Sequence, residues 1–178
     1  LQGDIYISAP SFTANQSLVE IDPAVYRQVS DWPGVERVDL LRSTQVYSPY
    51  GGLQLSASNN LDIGRERIFK EIKIPKEEVF AAMQQGGVLL TEPLANRLDL
   101  QVGEYIEINT PAGAQLFPII GVYYDYSSSQ GFVMMEQEVY RDHWKDAAIT
   151  AIALRLPPGV DSDLVTEELI AGIRSDQN

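Results

Sequence analysis

The segment Gly87–Ile108, GVLLTEPLANRLDLQVGEYIEI, carries the clearest local pattern in the chain. Its run GVLL predicts a buried strand, and Pro93 suits the first turn of a short helix over PLANRL. The turn DLQVG then leads into EYIEI, where isoleucine alternates with polar residues as in a half-buried strand. Thr91 and Glu92 are typical of a helix start, and no catalytic group accompanies them. The segment therefore predicts a strand–helix–strand scaffold rather than an active site.

The amino-terminal part of the chain predicts a β-α-β arrangement. The alternation in DIYISA indicates a strand, and Asp22 followed by Pro23 indicates a capped helix start. The apolar face of this helix is formed by Val25, Val29 and Trp32. Pro33 and Gly34 end the helix, and VERVDLLRSTQVYS predicts the next strand.

The carboxyl-terminal part predicts a strand followed by a helix. AITAIALRL alternates as a strand does, and Asp161 or Ser162 is suited to cap the helix that follows. Between the two ends, further patterns predict the strands YGGLQLSASN, QLFPIIGVYYDY and FVMME and the helices PKEEVFAAMQQGG and EQEVYRDHW. Asn59–Lys73 has no legible pattern. The whole chain therefore predicts an α+β fold in which both ends build one lobe around an inserted second lobe.

Charge and composition exclude several classes of function. The chain has 178 residues, enough for one domain or for two small lobes with buried cores. Its 25 acidic and 13 basic residues give a formal net charge of −12, which repels nucleic acid and anionic lipid headgroups. We therefore expect no nucleic-acid partner.

The absence of cysteine and the single histidine, His143, limit the chemistry further. Disulfides, thiolate catalysis and cysteine-based zinc sites are excluded, and multi-histidine metal sites are disfavoured. No run approaches the roughly 18 apolar residues of a membrane span. Because the chain opens at Leu1 rather than at methionine, we expect it to be a segment of a longer protein.

Catalytic arrangements are weak throughout the sequence. The pairs Glu77–Glu78 and Glu167–Glu168 fall in helix turns, where acidic residues serve the helix dipole and solubility. Asp161 and Asp163 lack the further oxygen ligands of a calcium loop. Ser127–Ser129 with His143 lack a nucleophile-elbow pattern, and no glycine run has the Gly-Lys-Ser/Thr step of a phosphate loop. We therefore expect no enzyme activity, no cofactor and no metal.

An aromatic cluster around the loop VYYDYSSSQGFVMM is the best candidate for an interaction site. Tyrosine and methionine suit adaptable protein contacts, and two strands flanking a polar loop leave some side chains outward. The candidate partner-facing residues are Tyr124, Tyr126, Phe132, Met134 and Met135.

The order of these motifs resembles a known family. WPGVERV after an amphipathic helix, GGVLLTEPLANRLDLQVGEYIEI, FPIIGVYYDY with GFVMME, and the closing IALRLPPGVD with its helix follow one another over nearly the whole chain. This sequence resembles the extracytoplasmic, or periplasmic core, domain of MacB/FtsX-like permeases of ABC transporters. Thr91 replaces the serine usual in the family, which is a minor change for a helix cap. GVYYDY is most similar to permeases with many spans and two such domains.

The resemblance implies a fold and a location. The fold has a porter-like β-α-β lobe, which we expect at residues 1–58 and 145–178, and an inserted strand-rich, sabre-like lobe at residues 59–144. The domain would lie on the extracytoplasmic side of the cytoplasmic membrane, tethered through the full-length protein. An ABC-type ATPase subunit, reached through the membrane part, would be its partner. An excised domain is expected to be monomeric.

Three functions stay open at this stage. The first is a non-catalytic transport domain that couples ATP-driven membrane motion to an amphiphilic cargo (a lipoprotein, lipid or peptide) or to an extracytoplasmic partner protein. The second is a regulatory interaction module that signals to a cell-wall hydrolase or a sensor without transport. The third, an acidic soluble enzyme, is disfavoured. An apolar groove between the lobes would favour cargo, and a flat aromatic patch on one lobe would favour a signalling partner.

Overall fold

The computed structural model describes residues 4–8 and 19–175. Helices and strands are mixed along this part of the chain, which confirms the predicted α+β class. The strands are β1 (Ile5–Ser8), β2 (Arg37–Ser48), β3 (Gly51–Ser58), β4 (Phe69–Ile72), β5 (Val88–Thr91), β6 (Tyr105–Thr110), β7 (Gly113–Tyr123), β8 (Val133–Glu136) and β9 (Ala151–Arg155). The helices are α1 (Pro23–Ser30), α2 (Ile63–Glu66), α3 (Val79–Gln84), preceded by a 3-10 turn at Lys76–Glu78, α4 (Glu92–Leu98), α5 (Gln137–Trp144) and α6 (Ser162–Ser175).

The chain divides into two compact units. Unit 1 combines the two ends of the chain, up to Leu41 and from Ala148 onward. Unit 2 is the continuous segment Arg42–Ala147. The residues of β2 are thus shared between the two units, whereas every other strand belongs to one of them.

These unit bounds differ from the lobe bounds predicted at 1–58 with 145–178 and at 59–144. The difference comes mainly from β3, which pairs in parallel with β8 and places Leu55 opposite Val133. A strand is held by its ladder partner, and the partner of β3 lies far downstream in the sequence. Local patterning gave no sign of this pairing, so the predicted lobe bounds did not take it into account.

Unit 1 is built around β9. This strand pairs antiparallel with β1 on one side and with β2 on the other, and Ile7 and Leu40 both lie opposite Ile152. α1 begins as predicted, because Asp22 Oδ1 accepts a hydrogen bond from the amide of Ala24 at 2.8 Å. The core is formed by Ile5, Ile21, Val29, Leu40, Ile152, Leu154, Leu156, Val165 and Leu169. The predicted helical face is confirmed, since Val29 is fully buried and Val25 and Trp32 pack against this core.

An ion triad with a buried carboxylate and two partly exposed arginines lies in the sheet of unit 1. Asp39 on β2 is only 1% exposed. Its Oδ1 lies 2.9 Å from Arg37 Nε, and its Oδ2 lies 3.0 Å from Arg155 Nε. Arg37 and Arg155 are cross-strand neighbours, so the carboxylate separates two guanidinium groups that would otherwise repel each other.

Unit 2 contains a sheet with the strand order β2-β3-β8-β5-β7-β4. β6 lies off this path, pairing with β7 along its whole length and with β2 at Tyr47 and Asn109. The larger apolar cluster includes Leu53, Leu55, Leu90, Leu94, Ile106, Ile108, Ile119, Val133 and Tyr140. The smaller cluster is Ile63, Val79, Met83, Leu89, Tyr123 and Met134. Side chains that alternate along β5 and β8 enter different clusters, so both faces of these central strands are covered.

The segment Gly87–Ile108 folds as predicted into β5, α4 and β6. Ile106 and Ile108 on β6 are fully buried. Tyr105, the first residue of this strand, is 57% exposed. α4 ends at Asp99, whose φ of 54° is left-handed. The amide of Leu100 then bonds back to the Ala95 carbonyl at 3.0 Å, which closes the helix end.

The segment Asn59–Lys73, which had no legible pattern, forms one turn of helix and a short edge strand. Asn60 is buried and organises the turn, because its Oδ1 accepts from the amide of Asp62 at 3.0 Å and its Nδ2 donates to Glu66 at 2.7 Å. β4 then pairs antiparallel with β7. A helix of four residues and a strand of four residues are too short to show a period in the sequence.

A second polar network joins the two ends of unit 2. The hydroxyl of Tyr140 donates to Asp146 Oδ2 at 2.6 Å, and Arg42 Nε donates to the same oxygen at 2.9 Å. Burial, and then the bond to Asp146, raise the pKa of Tyr140 to about 12. The phenol is therefore a protonated donor at neutral pH.

We expect the stabilising effect of Tyr140 to disappear as the pH rises from 10 to 12. The pKa is raised from 10.0 to about 12, so in this range the folded chain holds a proton that the unfolded chain releases. The contribution is complete below pH 10 and declines above it. Urea unfolding of the chain and of Tyr140→Phe at about pH 8 and about pH 11 measures the effect. The stability difference between them should narrow at the higher pH, and a constant difference would contradict the account.

Candidate functional site

The predicted partner-facing residues lie in residues 124–132, the loop that connects β7 to β8 in unit 2, and in β8 itself. The chain leaves the sheet at Tyr123, which is fully buried, and then presents Tyr124 and Tyr126, which are 44% and 68% exposed. The exposed rings stack with centroids 6.4 Å apart and planes 29° from parallel. The loop thus displays one aromatic pair, which we call the tyrosine pair.

Glu92, at the start of α4, lies near one member of the tyrosine pair. The phenol of Tyr126 is close enough to the Glu92 carboxylate for the two groups to shift each other's pKa. Glu92 Oε1 accepts a hydrogen bond from Asn96 Nδ2 at 2.6 Å and lies 3.3 Å from Lys70 Nζ. The bond from Asn96, followed by those from Lys70, lowers the pKa of Glu92. Lost hydration, followed by the Glu92 charge, raises the pKa of Tyr126, so this phenol is a donor at neutral pH.

Tyr123 anchors the base of the loop. Its ring packs edge-on against Phe69 and Phe132, with centroids 6.3 and 6.4 Å away. The guanidinium of Arg67 lies 5.3 Å from the centre of the ring, within the range of a cation–π contact. Burial strongly raises the pKa of the Tyr123 phenol. The exposed tyrosines therefore follow closely after a residue whose ring is held by packing on both sides.

Thr91 connects α4 to the far end of the loop. It occupies the N-cap position of α4, but its side chain makes no capping bond, so the prediction of a helix cap is wrong for the hydroxyl. Its Oγ1 instead accepts a hydrogen bond from the amide of Phe132 at 3.0 Å. The Thr91 amide also donates to the Phe132 carbonyl at 3.2 Å. The backbones of Thr91 and Phe132 therefore lie side by side, which brings the Phe132 amide within reach of the Thr91 hydroxyl.

Replacing Thr91 with valine is expected to destabilise unit 2 by about 1–2 kcal/mol, because the amide of Phe132 loses its partner while the packed volume is kept. Urea unfolding followed by Trp144 fluorescence, in a Trp32→Phe background, measures this. Thr44→Val, on the half-buried face of β2, is the matched control and should change stability by less than about 0.5 kcal/mol. Equal effects of the two substitutions would contradict the assigned role of the hydroxyl.

Burial corrects the predicted set of partner-facing residues. Met134 is 3% exposed and Met135 is fully buried, so neither is available to a partner. Both lie on β8, which has β3 on one side and β5 on the other and is covered on both faces. Phe132 is half-buried and packs against the smaller cluster. Of the five predicted residues, Tyr124 and Tyr126 are exposed at the surface.

The carboxylates considered for catalysis have structural surroundings. Asp161 Oδ1 accepts from the amides of Asp163 and Leu164, at 2.9 and 3.4 Å, and so caps α6 as predicted. Glu167 and Glu168 are exposed on α6. In unit 2, the exposed Glu77 lies 4.0 Å from Arg65 at the 3-10 turn. Within the described ranges, no three acidic or histidine side chains are grouped so as to hold a metal ion.

The serines of the loop and His143, which were considered as a catalytic pair, also make structural contacts. His143 on α5 places Nδ1 2.8 Å from the Val139 carbonyl and packs its ring edge-on against Phe117. The amide of Ser127 bonds to the side chain of Asp125 at 2.9 Å, which shapes the loop as an Asx turn. These contacts assign the groups to helix packing and loop geometry.

No local sequence pattern indicated Lys70 as part of the site. Lys70 lies on the edge strand β4, in the segment without a pattern, and reaches both Glu92 and Asn96 on α4. The spacing of Glu92 and Asn96, four residues apart on a helix, was the one available signal for a side-chain pair. Only the pairing of β4 with β7 brings the lysine to them.

Comparison with known proteins gives the family. The model of the MacB-like periplasmic core domain matches residues 3–171. Rv0987 of Mycobacterium tuberculosis, an uncharacterized ABC transporter permease protein, is 31% identical over 176 residues. The alignment covers 96% of the chain but 20% of that permease, so the chain spans about a fifth of the length of this relative. Among the described helices, none is long and apolar enough to cross a bilayer.

Two solved structures share the fold. The periplasmic region of MacB from Actinobacillus actinomycetemcomitans matches with a TM-score of 0.62 and 11% identity, over 96% of the chain and 81% of that region. The extracellular domain of the noncanonic ABC-type transporter YknZ from Gram-positive bacteria matches with a TM-score of 0.59 and 12% identity, over 91% of the chain and 86% of that domain. The resemblance drawn from the sequence motifs is confirmed, and the chain belongs to the family of MacB-like periplasmic core domains.

Proposed function

We propose that the chain is a non-catalytic domain of an ABC transporter permease, held on the extracytoplasmic side of the cytoplasmic membrane by spans of the full-length protein. An ABC-type ATPase would act on those spans from the cytoplasm. Their motion would reach this domain and change how it handles an amphiphilic cargo or an extracytoplasmic partner protein. The family match and the permease identity of the relative from Mycobacterium tuberculosis support this proposal.

The tyrosine pair is the observation that carries the proposed interaction role. Tyr126 is 68% exposed, yet its ring is ordered by stacking on Tyr124. An aromatic side chain that is already ordered loses little conformational entropy when a partner covers it. Tyrosine also offers an apolar face together with a polar edge, which is why it is enriched at protein interfaces.

The coupling itself requires two states of the domain. We assign the porter-like role to the unit built from both chain ends and the sabre-like role to the inserted unit. ATP-driven motion of the spans would shift the balance between arrangements of the full permease. The partner or cargo must then bind those arrangements with different affinities, since equal affinities would transmit nothing.

A regulatory interaction module without transport is the second candidate. The observation in its favour is that both exposed rings of the tyrosine pair belong to one unit. A compact aromatic patch on a single unit suits a protein partner, such as a cell-wall hydrolase or a sensor, better than it suits an extended amphiphile. In this case the same coupling would carry a signal instead of moving a molecule.

Site-specific photo-crosslinking in cells tests the interaction role. A benzophenone amino acid replaces Tyr126 in the full-length permease, and a matched variant carries it at Tyr105 on β6, which is 57% exposed. Each is examined with the partner ATPase active and with the ATPase inactivated by substitution. We expect a discrete adduct at position 126 whose yield depends on ATPase activity. The adduct should be absent at position 105.

Two outcomes separate the candidates. A lipid, lipoprotein or peptide adduct would favour the transport role, and a hydrolase or sensor protein would favour the regulatory role. Adducts that are the same at positions 126 and 105, or that do not respond to ATPase inactivation, would overturn the proposed coupling through this surface.

A further inference from the structure

A polar cleft of about 320 Å³ lies within unit 2 and is lined in part by Lys70 and Asn96, the two residues that bond to Glu92. Its rim is formed by Lys70, Glu71, Asn96, Asp99 and Gln101, which come from β4, α4 and the turn after α4. Its apolar lining is formed by Ala95, Leu100 and Val122, of which Leu100 is half-buried and the other two are almost completely buried. The volume is at the lower end of the range of small-ligand sites, so the cleft suits one compact group.

The rim offers both hydrogen-bond donors and acceptors. The backbone amide of Gln101 donates to Glu104, but no described contact engages the side-chain amide of Gln101 or the carboxylate of Asp99, so these two side chains line the cleft with their bonding capacity intact. The Gln101 amide both donates and accepts, the Asp99 carboxylate accepts, and an ammonium has three protons to donate. Lys70 uses its protons partly on Glu92 and Asn96, at 3.3 and 3.1 Å.

The charges around the cleft are nearly balanced. Lys70 lies against Glu92, and Lys73 lies 3.7 Å from Glu71 while donating to the Val102 carbonyl. Asp99 adds one further negative charge. A site with this balance gives a strongly charged ligand little electrostatic advantage, and it favours a neutral ligand rich in polar groups.

Glu92 lies near both the cleft and the tyrosine pair. It accepts hydrogen bonds from Asn96 and Lys70, both of which line the rim, and its carboxylate lies near the Tyr126 phenol. These bonds fix two of the rim side chains. Groups held in place before binding cost less to order when a ligand arrives.

We propose that this cleft binds a sugar unit of a neutral oligosaccharide. A sugar ring carries hydroxyl groups, which donate and accept, around an apolar face of C–H groups. The mixed rim matches the hydroxyl groups, the half-buried Leu100 offers an apolar surface to the C–H face, and the exposed ring of Tyr126 offers a further surface on which a neighbouring sugar can pack. This inference goes beyond the proposed function. It rests on that function only for the extracytoplasmic location, where glycans would be available to the cleft.

Two-dimensional ¹H–¹⁵N NMR of the 178-residue chain tests the proposal. The probes are the neutral trisaccharides chitotriose and maltotriose, each added to about 10 mM, because isolated sugar sites bind weakly. At least one of them should produce saturable shifts centred on Asn96, Asp99, Gln101 and Tyr126. Arginine amide and inorganic phosphate serve as charged probes.

Matched variants make the test specific. Gln101→Ala is expected to weaken trisaccharide binding about fivefold, whereas Gln115→Ala, at the exposed start of β7, should leave it unchanged. Asp99→Asn keeps the left-handed helix end, which asparagine tolerates, and should also weaken binding. Unchanged spectra elsewhere in each variant establish that the fold is intact.

The contrary outcomes are distinct. Absence of localised shifts with both sugars would overturn the proposal, and so would saturable shifts with arginine amide or phosphate alone, which would assign the cleft to a charged ligand. Because the measurement uses the separate chain, these failures would leave the permease role and the crosslinking test at Tyr126 untouched. A failed crosslinking test would in turn leave sugar binding by the cleft intact.

Discussion

Replacing Asp39 with alanine is expected to lower the free energy of unfolding of unit 1 by about 3 kcal/mol or more. The carboxylate is 1% exposed and forms ion pairs with Arg37 and Arg155, at 2.9 and 3.0 Å. Its removal leaves two neighbouring guanidinium groups across the strand pair without the charge between them. Removing one partner from a buried ionic network costs far more than the network contributes as a whole, because the remaining charges stay partly dehydrated.

The two tryptophans of the chain allow this prediction to be measured in the correct unit. Trp32 belongs to unit 1 and Trp144 to unit 2. In a Trp144→Phe background, urea unfolding followed by Trp32 fluorescence reports unit 1 alone. Glu168→Ala, which removes an exposed carboxylate from α6 of the same unit, is the control and should shift stability by less than about 0.5 kcal/mol. A loss below about 1 kcal/mol for Asp39→Ala would contradict the role of the triad.

Replacing Gly131 with alanine is expected to destabilise unit 2 by about 3 kcal/mol or more, and to displace the loop that carries the tyrosine pair. Gly131 has a φ of 68° and lies directly before Phe132. A Cβ atom there would lie 2.6 Å from the amide nitrogen of Leu94, and closer still to Thr91 Oγ1. One of these contacts is backbone of α4, so the strain cannot be relieved by turning a side chain.

Gly86→Ala separates the steric part of this effect from backbone strain. Gly86 has a φ of 98°, and nothing lies within 4 Å of a Cβ placed there. Alanine at Gly86 therefore experiences the unfavourable φ without the clash. Urea unfolding followed by Trp144 in a Trp32→Phe background should show a clearly larger loss for Gly131→Ala. A loss no greater than that of Gly86→Ala would contradict the close packing of the loop on α4.

Local patterns predicted the parts of the fold whose partners are near in sequence. β5, α4 and β6 follow one another within Gly87–Thr110, and each shows its own period or end signal. Asp22 and Asp161 cap their helices because a cap is decided within three residues. The lobe bound predicted at residue 58 could not include the parallel pairing of β3 with β8, because that pairing depends on a strand that begins at Val133.

The site was predictable to the same extent. A polar loop with alternating aromatic residues indicated exposed tyrosines, and Tyr124 and Tyr126 are exposed. The sequence could not distinguish them from Met134 and Met135, since a strand covered on both faces shows no alternation to reveal its buried side chains. The contacts of Lys70 with α4 and of Thr91 with Phe132 join residues more than twenty positions apart, and only the tertiary fold creates them.

Cysteine accessibility in the full-length permease tests the central claim most directly. The chain has no cysteine, so Ser129→Cys places a unique thiol on the exposed loop beside the tyrosine pair, once any cysteine elsewhere in the protein is replaced. Ala57→Cys, at a fully buried position, is the control and should react only after denaturation. An extracytoplasmic domain predicts that a membrane-impermeant maleimide labels Ser129→Cys in intact cells or spheroplasts. Labelling of Ser129→Cys only after lysis would place the domain on the cytoplasmic side and contradict the proposed function.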